Sequence, residues 1–399
     1  MNVTDVGHLV GDGDAGEDKM EAGSRRTGKS AWDIAAFYTK VFFDDLAKLH
    51  IQTPKIIPKA TEHIPEMIHM VQELEKKGFV YRTSDGLYFD TAKFPQYANF
   101  ARLDVKNLEA GKRVEMGDKK NSTDFAVWKL SPANEKRQME WDSPWGKGFP
   151  GWHIECSAMS MKYLGDTFDI HCGGIDHIPV HHTNEIAQSE ATTGKPYVHY
   201  WMHGEFLNED SGKMSKSKGE FLTLSVLEKE GFSPVDYRFL LLQAHYRSSL
   251  NFHFEALKSA QAGLNSIRQK MLKLKDIAAS SSLSATGEAQ VKKFEAAMFD
   301  DLNVPEALAV FFAVLRDQTM SDPERKNILL RFDTILGLDL EAMMHVQEVI
   351  PGEIQALAAA RDEARKNKDW AGSDRLRNEL QAKGYKVEDS PKGTKVSKG

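Results

Sequence analysis

Apolar residues recur at intervals of three and four in two segments near the start of the chain. The segments are residues 31–49 and 62–77, and the apolar positions of the first include Ile34, Phe37, Val41 and Phe42. This spacing places apolar side chains on one face of an α-helix. It predicts two amphipathic helices, and Gly78 ends the second.

The pattern then changes to short apolar runs separated by turn residues. Residues 79–82 and 87–90 flank Asp85-Gly86, a dipeptide that tight hairpin turns favour because it tolerates positive φ. We therefore predict a β-hairpin, which makes this region a small mixed module. A segment rich in Gly, Pro and Trp follows and leads into a predicted helix over residues 151–164.

Strand-like and helix-like segments alternate after residue 164. The pattern predicts a strand at 167–171, a helix at 179–191 and a strand at 198–203, an order typical of α/β architecture. From residue 234 to 338 the periodicity is almost purely helical, which predicts a helix bundle. Pro351-Gly352 then separates a last, small helical unit.

Length and composition indicate a multidomain protein with two cysteines. The chain has 399 residues, of which 41% are hydrophobic and 28% charged. No apolar stretch reaches the ~18 residues that a membrane helix needs, and the first residues do not resemble a signal peptide. Cys156 and Cys172 are too few for a disulfide framework and fit a reducing compartment. We therefore expect a cytoplasmic protein, as a monomer, with no membrane partner.

The charge distribution is uneven. The whole chain carries a net charge of -6, so it does not attract polyanions globally. Residues 361–399, however, contain 11 Lys and Arg against 7 Asp and Glu. A surface that binds nucleic acid would therefore be local, and this C-terminal segment is one place for it.

A polar loop flanked by glycines carries the strongest local motif, Lys213-Met-Ser-Lys-Ser217. Such a loop cannot pack as core. Its two ammonium groups, Lys213 and Lys216, suit a nucleotide triphosphate, whose leaving pyrophosphate gains negative charge during adenylate formation. The motif resembles the KMSKS signature of class I aminoacyl-tRNA synthetases. The alternative is a solvated basic loop.

Cys156, His181 and Glu185 form a second set of candidate residues. His181 and Glu185 are four apart on a predicted helix, so both project from one face. With a thiolate from the preceding helix they could supply three zinc ligands and leave a position open. By spacing alone, a surface His–Glu pair and a small buried cysteine are more common. A helical step of ~100° separates His182 from His181, so we expect His182 to be a hydrogen-bonded neighbour.

Three longer segments resemble cysteinyl-tRNA synthetases almost position by position. The segments are Pro150-Gly-Trp-His-Ile-Glu-Cys-Ser-Ala-Met159, Phe168-Asp-Ile-His-Cys-Gly-Gly-Ile-Asp176 and His181-His-Thr-Asn-Glu-Ile-Ala-Gln-Ser189. This resemblance implies that Cys156, His181 and Glu185 bind zinc, which would receive the substrate's thiolate. It also implies that Trp152 packs against bound cysteine. The implied nucleotide-site residues, which would line the ATP and adenylate, are His171, Gly173, Gly174 and Asp176, with Lys216 as a further ATP-binding residue.

The C-terminal segments 364–377 and 387–394 resemble the family's anticodon-binding module. The resemblance implies that unstacked anticodon bases are read by Arg365, Trp370, Asp374, Arg377 and Asp389. The alternative is a solvated charged helix with Trp370 as its core anchor.

The same resemblance implies a fold and a domain order. We expect an α/β fold: an incomplete class I Rossmann-type catalytic domain with an inserted connective module, an α-helical bundle and a small anticodon-binding domain. The expected boundaries are 1–60 for the rest of the first Rossmann half, 61–148 for the insertion, 149–204 for the second half with the zinc site, 205–245 for the KMSKS loop and stem-contact region, 246–345 for the bundle and 346–399 for the anticodon module.

The implied activity is that of a cysteine–tRNA ligase, with L-cysteine, ATP with Mg²⁺ and tRNA(Cys) as substrates and one Zn²⁺ per subunit. The chain departs from the family at two places. The family's first strand, a further zinc-ligand Cys and its HIGH-type helix have no counterpart before Asn2, so we expect an upstream sequence. Cys172 stands where the family usually has Gly, and we do not expect it to replace the missing ligand. Two alternatives stay open: a truncated or degenerate paralogue that binds tRNA without catalysis, and a ligase that joins cysteine to an amino sugar.

Overall fold

A computed structural model describes residues 1–9, 17–103, 118–132, 137–209, 222–345, 351–390 and 393–398. The predicted phosphate-binding residues Lys213 and Lys216 lie outside these ranges. The chain divides into two compact units, residues 1–267 with 278–338 and residues 268–277 with 339–399.

Helices are the main secondary structure of the described residues. Their bounds are α1 (Lys19–Thr27), α2 (Ala31–Lys48), α3 (Ile64–Lys76), α4 (Trp152–Leu164), α5 (Thr183–Thr193), α6 (Leu224–Lys229), α7 (Pro234–Leu242), α8 (Phe254–Leu272), α9 (Ala285–Phe299), α10 (Val304–Arg316), α11 (Asp322–Leu336), α12 (Leu340–His345), α13 (Gly352–Lys366) and α14 (Trp370–Ala382). Among the described residues, no helix is both long enough and apolar enough to span a bilayer.

Within the described ranges, the strands form four small sheets. Their bounds are β1 (Val80–Arg82), β2 (Gly86–Phe89), β3 (Phe125–Leu130), β4 (Gly148–Pro150), β5 (Phe168–Gly174), β6 (Val198–Gly204), β7 (Leu207–Glu209), β8 (Leu250–Phe252), β9 (Tyr385–Ser390) and β10 (Gly393–Lys398). Strands β1 to β4 are antiparallel neighbours in sequence order, β5 pairs with β6 and β7 with β8 in parallel, and β9 pairs with β10 in antiparallel fashion.

The four-stranded sheet forms the predicted hairpin module and shares one core with three helices. Val80 pairs with Phe89 in the hairpin, as its turn dipeptide predicted. Phe89 and Trp128 of this sheet are fully buried in one cluster with apolar residues of α3, α4 and α5. Burying such side chains contributes ~1.5–3 kcal/mol each, so the module fixes α4 and α5 firmly.

The parallel pair β5–β6 confirms the predicted strand–helix–strand order, with α5 as the crossover. Register is set by pairs such as Phe168 with Val198 and Gly174 with Gly204. This register places the carboxyl ends of the two strands side by side, next to the start of α5. Several apolar side chains of the pair are exposed, among them Ile170 and Tyr200.

Helix α2 forms where the sequence predicted it, but its apolar face is not buried. Ser30 and Asp33 close a capping box at its start. Only Ala31 and Ile34 are buried in this helix, whereas Phe37 and Phe42 are about half exposed at 51% and 48%. The predicted helix is confirmed, and the side that carries Phe37 and Phe42 is left about half exposed.

The helical region of the first unit follows the predicted pattern. Ser233 and Asp236 form a capping box at the start of α7. In the following helices, Phe294 of α9 stacks on Phe332 of α11 with 4.0 Å between ring centroids. The second unit has its own small core, in which Ile354 and Ala358 of α13 pack with Leu380 of α14 and Val396 of β10.

Candidate active site

Helix α4 carries the cysteine of the predicted metal site. The helix begins directly after Gly151, where a Cβ atom would lie 2.1 Å from the backbone oxygen of Ala126, so only glycine lets the two backbones approach. Ile154 and Met159 then anchor α4 in the module core. These contacts leave Cys156 partly buried on the side that faces α5.

A π-helical turn over Ile178–His182 precedes α5 and presents two histidines. The turn replaces the first part of the helix predicted at 179–191. Wide turns of this kind are rare and often occur at functional sites. As a result, the Nε2 atoms of His181 and His182 each lie 3.9 Å from an oxygen of Glu185. Ser157 Oγ of α4 donates a hydrogen bond to Gln188 Oε1 of α5 at 2.8 Å, and this bond joins the two helices.

The structure brings the three predicted metal ligands together. One ligand atom each from Cys156, His181 and Glu185 lies within 4.8 Å of the others. Glu185 is fully buried, and neither carboxylate oxygen has a hydrogen-bond partner among the described residues. A buried carboxylate without partners is costly, and a cation would compensate it. The donor set, a thiolate, an imidazole and a carboxylate, therefore fits zinc.

His153 holds His181 in place, and the sequence interpretation missed it. The two Nδ1 atoms are 3.0 Å apart, and both rings are buried. A proton on His181 Nδ1, donated to His153, leaves the lone pair of His181 on Nε2, which faces Glu185. His182 repeats the pattern, because its Nδ1 lies 2.8 Å from His203 Nε2. His182 is thus hydrogen-bonded, as expected, and also faces the carboxylate.

Burial keeps this histidine cluster neutral. It lowers the pKa of His153 well below its usual range and lowers the pKa of His182 to about 2, with neighbouring imidazoles adding to the effect. Burial also lowers the pKa of His181, although Glu185 opposes the shift. The pKa of the Cys156 thiol is raised well above its usual value by burial and by the carboxylates of Glu185 and Glu155. A bound cation reverses this last effect, since metal-bound thiols deprotonate.

Trp152 forms one wall of the site. Its ring lies 4.9 Å from the ring of His181 and 6.0 Å from that of His8. His8 in turn contacts the buried Glu155, with 3.1 Å between Nε2 and Oε2. Burial raises the pKa of Glu155, and His8 opposes that shift. His8 is a second residue that the sequence interpretation missed, because only tertiary contacts bring it to α4.

The predicted nucleotide-site residues surround the end of β5. His171 Nε2 lies 3.1 Å from Glu185 Oε2, so its ring reaches the metal-ligand cluster. A Cβ atom at Gly173 would lie 2.5 Å from the His182 ring and 2.8 Å from His177 Nδ1, and one at Gly174 would lie 2.3 Å from Asp176 Oδ1. The missing side chain of Gly173 therefore admits a histidine ring. Its use for close nucleotide approach stays a prediction.

Cys172 is exposed, and the potential metal-ligand groups found among the described residues do not include it. Neighbouring strand residues point to opposite faces, so Cys172 points away from the side on which His171 meets Glu185. That Cys172 does not replace the missing ligand stays a prediction.

The predicted anticodon residues lie in the second unit. Asp389 binds three arginines, Arg361 and Arg365 at 2.7 Å and Arg377 at 3.5 Å, and the contacts with Arg361 and Arg365 lower its pKa to about 2. Arg361, which sequence reasoning did not select, is almost fully buried.

Trp370 is 61% exposed at the start of α14, and Asp374 is exposed one turn later. The alternative in which Trp370 anchors the core of a solvated helix is therefore wrong.

Comparison with known proteins gives matches along most of the chain. Residues 3–262 match the family model for the catalytic domain of class I (C) tRNA synthetases. Residues 293–320 match a DALR domain, and residues 348–396 match the anticodon-binding domain of cysteinyl-tRNA ligase. The last match covers the second unit's Trp370 and Asp389.

Individual relatives agree with these matches. The chain is 51% identical to cysteine–tRNA ligase 1 of Burkholderia lata, over 99% of this chain and 83% of that protein. It is 43% identical to the cysteine–tRNA ligase of Treponema denticola, over 98% and 85%. Among solved structures, the chain aligns with methionyl-tRNA synthetase of Mycobacterium tuberculosis bound by methionyl-adenylate, with a TM-score of 0.52 and 12% sequence identity. The alignment covers 93% of this chain and 87% of that one, which shows a common fold. The chain therefore belongs to the cysteinyl-tRNA synthetase family of class I aminoacyl-tRNA synthetases.

Proposed function

We propose that this chain is a cysteine–tRNA ligase that activates L-cysteine with ATP and transfers it to the 3' end of tRNA(Cys). The observation that carries the proposal is the convergence of Cys156, His181 and the buried carboxylate of Glu185 within 4.8 Å. A thiol substrate needs a soft, cationic partner, and this donor set suits one.

Cys156, His181 and Glu185 would hold the zinc ion. Bound there, zinc supplies a Lewis acid that prefers a thiolate to a hydroxyl, so it would select cysteine over serine without editing. Trp152 would pack against the side chain of cysteine, since its ring lies beside His181. His153 and His8 would hold the ring of His181 and the wall formed by Trp152.

The reaction would proceed in two steps. A carboxylate oxygen of cysteine attacks the α-phosphorus of ATP, and the bond to pyrophosphate breaks. A ribose hydroxyl of the tRNA 3' end then attacks the carbonyl carbon of the adenylate, and AMP leaves. Positioning of the substrates and stabilisation of the developing charge would accelerate both steps. Lys213 and Lys216 would contact the phosphates, and Mg²⁺ would accompany ATP.

Residues near β5 would bind the nucleotide. His171, Gly173, Gly174 and Asp176 lie at the carboxyl end of this strand, the position at which α/β folds commonly bind nucleotides. Close approach of ATP would require the two glycines to stay free of side chains.

The second unit would bind the anticodon. The exposed ring of Trp370 offers a stacking surface, and Arg365, Asp374, Arg377 and Asp389 supply polar groups around it. The match of residues 348–396 to an anticodon-binding domain favours tRNA over an amino sugar as the acceptor. We expect the enzyme to act as a monomer in the cytoplasm.

Cysteine-dependent exchange of pyrophosphate into ATP tests the proposal. We expect exchange with cysteine and none with serine, and we expect Cys156→Ala to lose both the exchange and the bound zinc. Intact tRNA binding without any exchange would identify a tRNA-binding protein and contradict the enzymatic function. Equal zinc content in the wild type and in Cys156→Ala would contradict the ligand assignment.

A further inference from the structure

Arg361 places a charged guanidinium group inside the second unit. It lies on the side of α13 that also carries the core residue Ala358. Its Nη1 atom donates to Asp389 Oδ1 and to Thr394 Oγ1, each at 2.7 Å, while its Nε atom is buried without a hydrogen-bond partner among the described residues. Apolar residues often stabilise a core as well as a buried ion pair does. The burial of this charge therefore indicates a role beyond stability.

Arg361 and its neighbour Asp362 hold the β9–β10 hairpin against α13. Asp362 Oδ1 accepts hydrogen bonds from the backbone nitrogen of Thr394 at 2.7 Å and from its hydroxyl at 2.5 Å. Thr394 of β10 is paired with Asp389 of β9 in the antiparallel register. Two consecutive residues of one helix therefore bind both members of a cross-strand pair, which fixes the position of Asp389 relative to α13.

The two oxygens of Asp389 are not equally occupied. Oδ1 contacts Arg361 and Arg365, each at 2.7 Å, whereas Oδ2 contacts Arg377 at 3.5 Å. The side chain of Asp389 is 41% exposed. Since each carboxylate oxygen can accept about two hydrogen bonds, Oδ2 retains capacity for a donor from a bound ligand.

The three arginines differ in how firmly they are held. Arg361 is 1% exposed, whereas Arg365 and Arg377 are each 38% exposed. Exposed ion pairs contribute only ~0–1 kcal/mol, because water solvates both charges and screens their attraction. Arg365 and Arg377 can therefore turn from Asp389 to a ligand at small cost, while Arg361 stays in place.

We propose that Arg361 is a positioning residue for anticodon reading. It holds Asp389 through Oδ1 and leaves Oδ2 to accept a hydrogen bond from the exocyclic amino group of an anticodon base, a donor that carboxylates recognise on base edges. Arg365 and Arg377 then contact the bound tRNA. The proposal rests on the proposed function of the second unit as an anticodon-binding domain. The competing explanation is that Arg361 only stabilises the hairpin.

Binding of tRNA(Cys) transcripts to the full chain tests this role. One transcript is unchanged, and in three others one anticodon base is replaced by uridine, which has no exocyclic amino group. The ratio of dissociation constants measures discrimination at each position. We expect the wild type to bind at least one uridine transcript about 5–150-fold more weakly. Asp389→Asn and Arg361→Met should both lose most of this discrimination.

Three further variants separate positioning from stability. The double variant of Arg361→Met with Asp389→Asn should bind tRNA(Cys) as weakly as Asp389→Asn alone, because Arg361 acts through that carboxylate. Arg361→Lys keeps a cation but not the planar guanidinium, so its discrimination should lie between those of the wild type and Arg361→Met. Thr394→Val removes a hydroxyl that joins the hairpin to α13. It should weaken the hairpin but keep the discrimination, because Arg361 still binds Asp389.

Lys366→Met removes an exposed cation from the same helix and should keep the wild-type discrimination. Amide exchange in β9 and β10 measures the stability of the hairpin in each variant. Wild-type discrimination in Arg361→Met, or additive losses in the double variant, would overturn the positioning role. If Arg361→Met does not fold, wild-type discrimination in Arg361→Lys would overturn it. Full discrimination in Asp389→Asn, or none in the wild type, would contradict anticodon binding by the second unit, and the role of Arg361 with it.

Discussion

His153 and His181 face each other across a buried contact, with 3.0 Å between their Nδ1 atoms. One nitrogen must donate and the other accept, and when His181 is the donor its lone pair is on Nε2, which faces Glu185. Groups that orient a metal ligand in this way commonly contribute 10–100-fold to affinity. The pair therefore connects a residue outside the predicted ligand set to metal binding.

Replacing His153 should weaken zinc binding. We expect His153→Leu to reduce zinc affinity by about 10–100-fold, because it removes the acceptor for His181 Nδ1. His153→Asn offers an amide oxygen in a similar place and should recover part of the loss. Competition with a chromophoric chelator measures the affinities, and His199→Ala on β6 serves as the surface control. Equal affinities in all four proteins would argue against an orienting role for His153.

Gly173 and Gly204 form a matched pair for a steric test. A Cβ atom at Gly173 would lie 2.5 Å from the ring of His182, whereas at Gly204 it would meet nothing within 4 Å. We expect Gly173→Ala to destabilise the fold by ~1–3 kcal/mol, the usual cost of overpacking. Gly204→Ala should change stability by less than ~1 kcal/mol. Urea unfolding monitored by circular dichroism compares them, and similar midpoints for the two variants would contradict the packing of Gly173 on His182.

Trp370 should contribute to tRNA affinity but not to adenylate formation. Stacking of a base on an aromatic ring is worth ~1–3 kcal/mol, so Trp370→Ala should weaken binding of tRNA(Cys) by about 5–150-fold. Filter binding measures this change. Pyrophosphate exchange should be unaffected, because that step requires only cysteine and ATP. Asn378→Ala, an exposed change on the same helix α14, is the control. Unchanged tRNA affinity in Trp370→Ala would contradict a role of this ring in anticodon binding.

The arginine cluster around Asp389 predicts a pH dependence in the second unit. Its pKa is lowered to about 2, first by Arg361, whereas an unfolded aspartate titrates near ~3.9. A carboxylate with a lowered pKa stabilises the fold above its unfolded pKa and loses this contribution as pH falls from about 4 to about 2. Asp389→Asn should therefore reduce stability at neutral pH, and its difference from the wild type should shrink over that interval.

Amide exchange in β9, normalised for the intrinsic pH effect, measures the stability of this part of the chain. The difference between wild type and Asp389→Asn is taken at neutral pH and at several values below 4. Glu388→Gln, an exposed neighbour on the same strand, is the control and should behave like the wild type. A difference that stays constant down to pH 2 would show that the ion pairs do not stabilise the strand.

The sequence predicted helices more reliably than it predicted their surroundings. The spacing of Ile34, Phe37 and Phe42 correctly indicated helix α2, because helical periodicity is a property of neighbouring residues. It did not show whether the apolar face is buried, because burial depends on what another part of the chain supplies. Likewise, Trp370 could not be judged as core or surface from its own helix.

The sequence by itself determined the element order, the family resemblance and the four-residue spacing of His181 and Glu185. Only the tertiary structure decided which side chains meet there. His153 and His203 approach His181 and His182 from α4 and β6, and His171 reaches Glu185 from β5. Local periodicity carries no information about such contacts. They arise because one shared core fixes α4 and α5 against the same sheet, so that side chains from different segments of the chain meet around Glu185.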